Sequence, residues 1–154
     1  MKVSLYRPEI PQNTGNIGRL CVATKTELYL VRPLGFFIDS KEIQRSGLDY
    51  WEHLQYKVVE SLDEMKAENP GSRFWYLSTK GKIPYSEIAY RSNDILVFGS
   101  EGAGLPAGVL ESNHDSVLTI PQWGPVRSLN LATAVGIVLY EAYRQIRQTS
   151  GEGA

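Results

Sequence analysis

The segment Ile95-Leu96-Val97-Phe98 is apolar without alternation and runs straight into Gly99-Ser100-Glu101-Gly102-Ala103-Gly104-Leu105-Pro106. An unbroken apolar run that stops at a glycine turn reads as a strand buried on both faces, of the kind found at the centre of a parallel sheet. Parallel neighbours need crossovers, and these are mostly helices lying on the sheet faces. This one segment therefore points to an α/β fold: a parallel sheet with helices on both faces. The remaining pattern agrees. Strands are expected over residues 3–5, 28–31, 57–59, 74–77 and 117–120. Helices are expected over 16–24, 40–45, 61–68, 106–111 and 128–146. Ser61 with Glu64 three residues later is a capping-box pair, Ser40 is a candidate N-cap with Gly47 near the helix end, and Pro106 suits a first helical position.

At 154 residues the chain suits one domain, expected over 1–148, with 149–154 as a flexible tail. Lys plus Arg number 16 and Asp plus Glu number 17, so the net charge is -1. That excludes a polybasic arm, and a nucleic-acid partner would be held locally through few phosphates. The surplus of cationic side chains lies in the first 50 residues, seven against five. Cys21 is the single cysteine, which excludes an internal disulfide and a cysteine-rich zinc site and fits a cytoplasmic location. His53 and His114 have no partners at ligand spacing, so no metal site is expected. No run approaches 18 apolar residues, so no membrane span is expected. Residues 1–6 read as a strand rather than a signal peptide.

The last helix is apolar around most of its circumference. Leu131, Val135, Val138, Leu139, Ala142 and Ile146 form one stripe, widened by Ala134 and Ile137. Such a helix must be covered on most sides. Either a second subunit covers it, making a homodimer, or the N-terminal helix and a loop do so within one chain.

Three polar and glycine-rich clusters sit where predicted strands meet helices, the ligand-binding end of open parallel sheets. The first is Asn13-Thr14-Gly15-Asn16-Ile17-Gly18-Arg19, read as a lead-in to a helix whose first amides are free to meet an anion. Its other reading is a helix cap with a surface arginine. The second is the loop 99–106. It lacks the Gly-Lys-Ser/Thr of a phosphate loop, it does not follow the first strand as a dinucleotide fingerprint should, and Glu101 would repel a phosphate. A neutral or cationic ligand suits it, the other reading being a tight glycine turn. The third is Ile120-Pro121-Gln122-Trp123-Gly124-Pro125-Val126-Arg127-Ser128-Leu129-Asn130. Here Ser128 is read as the N-cap and Asn130 as a poor interior residue with a specific hydrogen bond to make. Ser78, Lys80 and Lys82 follow a strand end and fall near the same mouth.

Together with Pro8-Glu9-Ile10-Pro11, Gly47-Leu48-Asp49-Tyr50, Phe98-Gly99 with Glu101, Gly104-Leu105-Pro106 and Ser128-Leu129-Asn130, these clusters cover nearly the whole chain. Their order and spacing resemble the knotted methyltransferases of the SPOUT superfamily, and within it the small tRNA ribose 2'-O-methyltransferases of the TrmL (YibK) type. One segment departs from that pattern: Gly102-Ala103 stands where bulkier polar residues are common.

The resemblance implies a trefoil knot in the C-terminal third and a homodimer packed through the first and last helices. It implies S-adenosylmethionine as methyl donor, S-adenosylhomocysteine as product, and the anticodon stem-loop of a tRNA as partner, with the wobble cytidine or uridine methylated. Carried over residue by residue, the cofactor positions are Leu77, Ser78, Gly99, Glu101, Gly104, Leu105, Ile120, Ser128 and Leu129. The catalytic positions are Arg19, Ser128 and Asn130. Two other readings stay open: an RNA-binding module of this fold without catalysis, and an unrelated nucleotide-binding α/β domain. Trp123 is a candidate for stacking on a base.

Overall fold

The computed structural model describes residues 1–39, 41, 43, 45 and 50–150. The 40–45 helix is present at Lys41, Ile43 and Arg45. Its expected cap Ser40, its end near Gly47, and the Gly47-Leu48-Asp49 stretch lie outside the described residues.

The elements follow in the order β1 (Lys2–Tyr6), α1 (Pro11–Thr24), β2 (Glu27–Val31), β3 (Tyr56–Val59), α2 (Leu62–Glu68), β4 (Phe74–Leu77), β5 (Ile83–Pro84), β6 (Ile95–Phe98), α3 (Ala107–Ser112), β7 (Val117–Thr119) and α4 (Leu131–Ser150). Short 3-10 turns occupy Trp51–His53 and His114–Ser116. The strands make one seven-stranded sheet in the order β3-β2-β1-β6-β4-β7-β5, and every pair in it is parallel. The apolar run 95–98 lies inside the sheet between β1 and β4, with all four residues buried.

The lack of alternation in β6 follows from covering on both sides. Leu96 and Phe98 join Val3, Leu5, Leu28 and Leu30 in a cluster that packs on Ile17 and Cys21 of α1 and on Val135, Val138, Leu139 and Ala142 of α4. Ile95 and Val97 join Tyr29, Val31, Val59 and Tyr76 on the other face, under Leu62 and Met65 of α2, with Val109 and Leu110 of α3 packed against them. Helices thus lie on both faces. Burial of this kind contributes about 25 cal/mol per Å² of apolar area, and it makes both faces of a central strand apolar.

Several helix boundaries differ from expectation. The first helix begins at Pro11 rather than Asn16, so residues 13–15 are helical as well and do not lead in as a loop. Proline at the first position gives up no hydrogen bond. The glycines inside α1 that look like loop signals serve packing: a Cβ on Gly18 would stand 3.1 Å from Leu54 and 3.2 Å from the Trp51 ring. The last helix begins at Leu131, and Asn130 rather than Ser128 caps it: its Oδ1 accepts the Thr133 N–H at 3.2 Å. Pro106 precedes α3 as its cap residue, so that helix starts one residue later than expected. At the far end α4 runs to Ser150 and takes in the first two residues of the expected tail.

The capping pair of α2 forms with a shift. Ser61 Oγ accepts the Glu64 N–H at 3.1 Å, while the Glu64 carboxylate accepts the N–H of Glu60, one residue before the cap. Within the chain α1 and α4 pack on each other, and Thr26 Oγ1 lies 2.9 Å from the Tyr143 hydroxyl. The N-terminal helix therefore covers part of the apolar circumference of α4. Tyr140 on its outer side stays 52% exposed. No described helix is long and apolar enough to cross a membrane.

Candidate active site

All three sequence clusters meet at the carboxyl ends of the strands, joined by two side-chain hydrogen bonds in series. Asn130 Nδ2 donates to Asn13 Oδ1 at 3.0 Å. Asn13 Nδ2 donates to Glu101 Oε1 at 3.3 Å. These contacts span 117 and 88 residues of sequence. Asn130 performs two tasks with one amide, since its oxygen caps α4 and its nitrogen holds Asn13.

Glu101 clamps the glycine loop to the start of α1. Its carboxylate accepts the Glu9 N–H at 2.8 Å and the Ile10 N–H at 3.0 Å. Glu9 returns the contact by accepting the Gly102 N–H at 3.1 Å. A carboxylate at a helix N-terminus is favoured by the helix dipole. The expectation that α1 offers free amides to an external anion is thus corrected, because the anion at that helix end is the protein's own Glu101. Among the described residues its hydrogen-bond donors are all neutral, so no cationic side chain offsets this carboxylate beside the cavity.

The loop itself is a close-packed turn. Ser100 and Gly104 form a bridge, and Gly104 takes a φ of +68°. A Cβ on Gly99 would fall 2.2 Å from the Gly104 carbonyl carbon and 2.3 Å from Leu105 N. No side chain fits there without moving backbone, so the glycine is a steric requirement of the turn.

Beside this clamp opens a cavity of about 560 Å³, a usual size for a small-molecule site. Its wall is apolar at Leu77, Phe98, Leu105, Leu110, Ile120 and Leu129. Every residue expected to hold the cofactor lines it, from Leu77 and Ser78 through Gly99, Glu101, Gly104, Leu105 and Ile120 to Ser128 and Leu129, and so does Asn130. Lys80 lines it as well, whereas Lys82 and Trp123 do not. Gln122 Oε1 is a buried acceptor without a hydrogen-bond partner, in a residue of the wall. An unpaired buried acceptor is costly, and a ligand donor would relieve it.

Arg19 stands apart. It is exposed on α1, with its guanidinium over the Tyr50 ring at 4.8 Å, and it does not line the cavity. On an ideal helix it sits about 9 Å along the axis from Asn13 and about 120° around it. Among the described residues no group of three His, Cys, Asp or Glu side chains lies close enough to hold a metal ion.

A model of the SpoU rRNA Methylase family matches residues 1–140. The chain belongs to that family. A tRNA (cytidine(34)-2'-O)-methyltransferase of Escherichia coli (strain K12) is 42% identical over 153 residues, covering 95% of this chain and 94% of that protein. A solved structure described as giving insights into "the 2-OH methylation of C/U34 on tRNA" superposes with a TM-score of 0.90 at 44% identity, covering 97% of this chain and 96% of that one. An AdoMet-bound rRNA methyltransferase from Sinorhizobium meliloti superposes with a TM-score of 0.83 at 30% identity, over 93% of this chain and 55% of that one.

Sequence reasoning about this SpoU-family chain passed over several residues of the wall. Asn13 lay in a cluster but was given no role, although a buried amide at a helix start is a signal for a specific partner. Gln122 and Arg127 sit in the third cluster without a distinguishing pattern. Leu110 and Ala134 carry no local signal at all, because only the packing of α3 and α4 turns them toward the cavity.

Proposed function

We propose that this SpoU-family chain transfers a methyl group to the ribose 2'-oxygen of the wobble nucleotide, cytidine or uridine 34, in the anticodon stem-loop of a tRNA. The observation that carries the reading is the cavity where three loops distant in sequence are tied by the Asn130, Asn13 and Glu101 chain. Its support is a family named for RNA methylation and relatives whose names give that reaction at nucleotide 34 of tRNA.

The residues present fit S-adenosylmethionine. The apolar wall suits an adenine ring. The Gln122 acceptor offers an amino group a partner. The Glu101 carboxylate, bonded to neutral donors, suits a cationic ligand. The positions that would hold it are Leu77, Ser78, Gly99, Glu101, Gly104, Leu105, Ile120, Ser128 and Leu129. When bound, the donor supplies an electrophilic methyl on a sulfonium, and S-adenosylhomocysteine remains.

The protein's tasks are alignment and handling of one proton. Holding two reactants in line contributes about 7–11 kcal/mol. Ser128 and Asn130, at the mouth beside α4, position the ribose or the cofactor's amino-acid end. Arg19 orients the 2'-hydroxyl and stabilises the forming alkoxide while the hydroxyl proton passes to solvent water, because a guanidinium does not give up its proton to act as a base. Its place outside the cavity of its own chain fits a homodimer packed through α1 and α4, in which α1 of one protomer faces its partner's cavity. The exposed Tyr140 and the half-buried Ile137 on α4 support such an interface.

The same reading includes a C-terminal trefoil knot. Its support is that the 78–80, 99–105 and 127–131 segments, far apart in sequence, meet in one cavity wall. It also takes the domain as residues 1–148 and the location as cytoplasmic, where tRNA is modified. Nucleoside mass spectrometry of tRNA from cells with and without the protein tests the chemistry. The expected result is loss of 2'-O-methylation at nucleotide 34, and an unchanged nucleoside profile overturns the proposal.

A further inference from the structure

Trp123 differs from the other two tryptophans of this chain. Trp75 is half-buried and donates its indole N–H to Asp94 at 3.1 Å. Trp51 is half-buried and lies against the Tyr56 ring at 5.5 Å. Trp123 is 93% exposed, and among the described residues its indole has no ring, cation or hydrogen-bond partner.

Gln122 and Arg127 at the two ends of the segment both line the cavity. Between them Gly124 and Pro125 make a tight turn closed by the Val126 N–H to the Gly124 carbonyl at 2.9 Å. The indole is carried at the rim of the cavity by a short turn between two residues of its wall. A large aromatic exposed to water is stabilised when something flat covers it.

The surroundings identify what covers it. Arg127 and Lys80 line the wall and have no ion-pair partner among the described residues, and the exposed Lys82 follows two residues after Lys80. A chain of net charge -1 thus places unpaired cations beside an unpaired aromatic at one mouth. Flat bases joined by phosphates match that pairing, since single-stranded RNA is held by stacking together with backbone charge. We propose that Trp123 is the stacking platform for the nucleobase adjoining the target nucleotide, and that Arg127 binds the phosphate between the two. The inference rests on the methyltransferase reading above and names the residue by which that site positions its RNA.

The test uses the full-length protein and a synthetic anticodon stem-loop RNA. Binding quenches tryptophan fluorescence in the wild type, and the exposed component of that quench is absent in Trp123→Phe. Trp123→Ala raises KM for the stem-loop about 5- to 150-fold, with kcat, melting temperature and S-adenosylhomocysteine affinity unchanged. Trp123→Phe keeps a ring face and recovers most of the loss. Arg127→Ala lowers the salt dependence of RNA binding. A Trp123→Ala enzyme with wild-type KM overturns the inference while leaving the methyltransferase reading intact. A fall in S-adenosylhomocysteine affinity in that variant also overturns it, because the indole would then face the cofactor. A wild-type protein that methylates no tRNA removes the underlying reading as well.

Discussion

Strand β6 has a carboxylate at each end, and the two are used in opposite ways. Asp94, just before the strand, is fully buried. It takes a forked pair of bonds from Arg73 at 2.8 and 2.7 Å, the Trp75 indole N–H and the Arg91 N–H. Charge meets charge there, and the closed end of the sheet is stitched shut. Glu101, just after the strand, receives neutral donors and stands beside an open cavity. The same functional group makes a structural rivet where a guanidinium neutralises it and a polarised wall where none does. In a parallel sheet chemistry belongs to the second end, because loops there leave the strands and can diverge.

Removing the rivet has the largest expected effect. Asp94→Ala strands the Arg73 guanidinium and the Trp75 indole, and urea unfolding should show a loss of about 3–5 kcal/mol. The folded fraction should still bind S-adenosylhomocysteine normally, and weakened binding would break the separation of the two ends. Next comes Arg19→Ala, expected to lower turnover by about 10²-fold or more with cofactor affinity intact by calorimetry. Parallel loss of both would make the residue structural. Glu101→Gln turns one acceptor into a donor facing the Glu9, Ile10 and Asn13 donors, and about 1–3 kcal/mol should be lost. That loss should weaken cofactor binding more than it lowers the melting temperature, the reverse of Asp94→Ala. Asn130→Ala removes a cap and should cost about 1 kcal/mol in thermal unfolding, with weaker cofactor binding through the freed Asn13.

An effect absent at neutral pH concerns Cys21, away from both ends. Burial pushes its thiol up to about 12. The folded protein keeps that proton where the unfolded chain, titrating near 9, has lost it. Stability therefore falls as pH rises from about 9 towards about 12, by at most about 1.4 kcal/mol per pH unit from this group. At pH 8 a thiol reagent should leave the native protein unlabelled, and rapid labelling would show that α1 opens.

Much of the fold was legible because its signals are local. The spans 74–77 and 95–98 match the observed strands to the residue, since an apolar run bounded by turns leaves little freedom. The Ser61 cap was equally local. The two-residue strand β5 was not read, because Ile83-Pro84 carries no period and pairs only through β7. The start of α1 was misplaced because Asn13, Thr14 and Gly15 look like loop residues. Gly18 is helical for the sake of Leu54 and Trp51, which lie more than thirty residues away.

The proposed cofactor positions show the same division. The composition of each cluster, glycine, amide and carboxylate at the end of a strand, was written in the chain. That Asn130 would cap a helix and at the same time reach Asn13, and that Glu101 would be tied to three neutral donors while lining the cavity, was not. Periodicity and turn chemistry act over a few residues and settle which segments are strands or helices. Hydrogen bonds between residues about a hundred positions apart exist only after the sheet has set its strand order, so the shape and charge of the cavity emerge at that stage and no earlier.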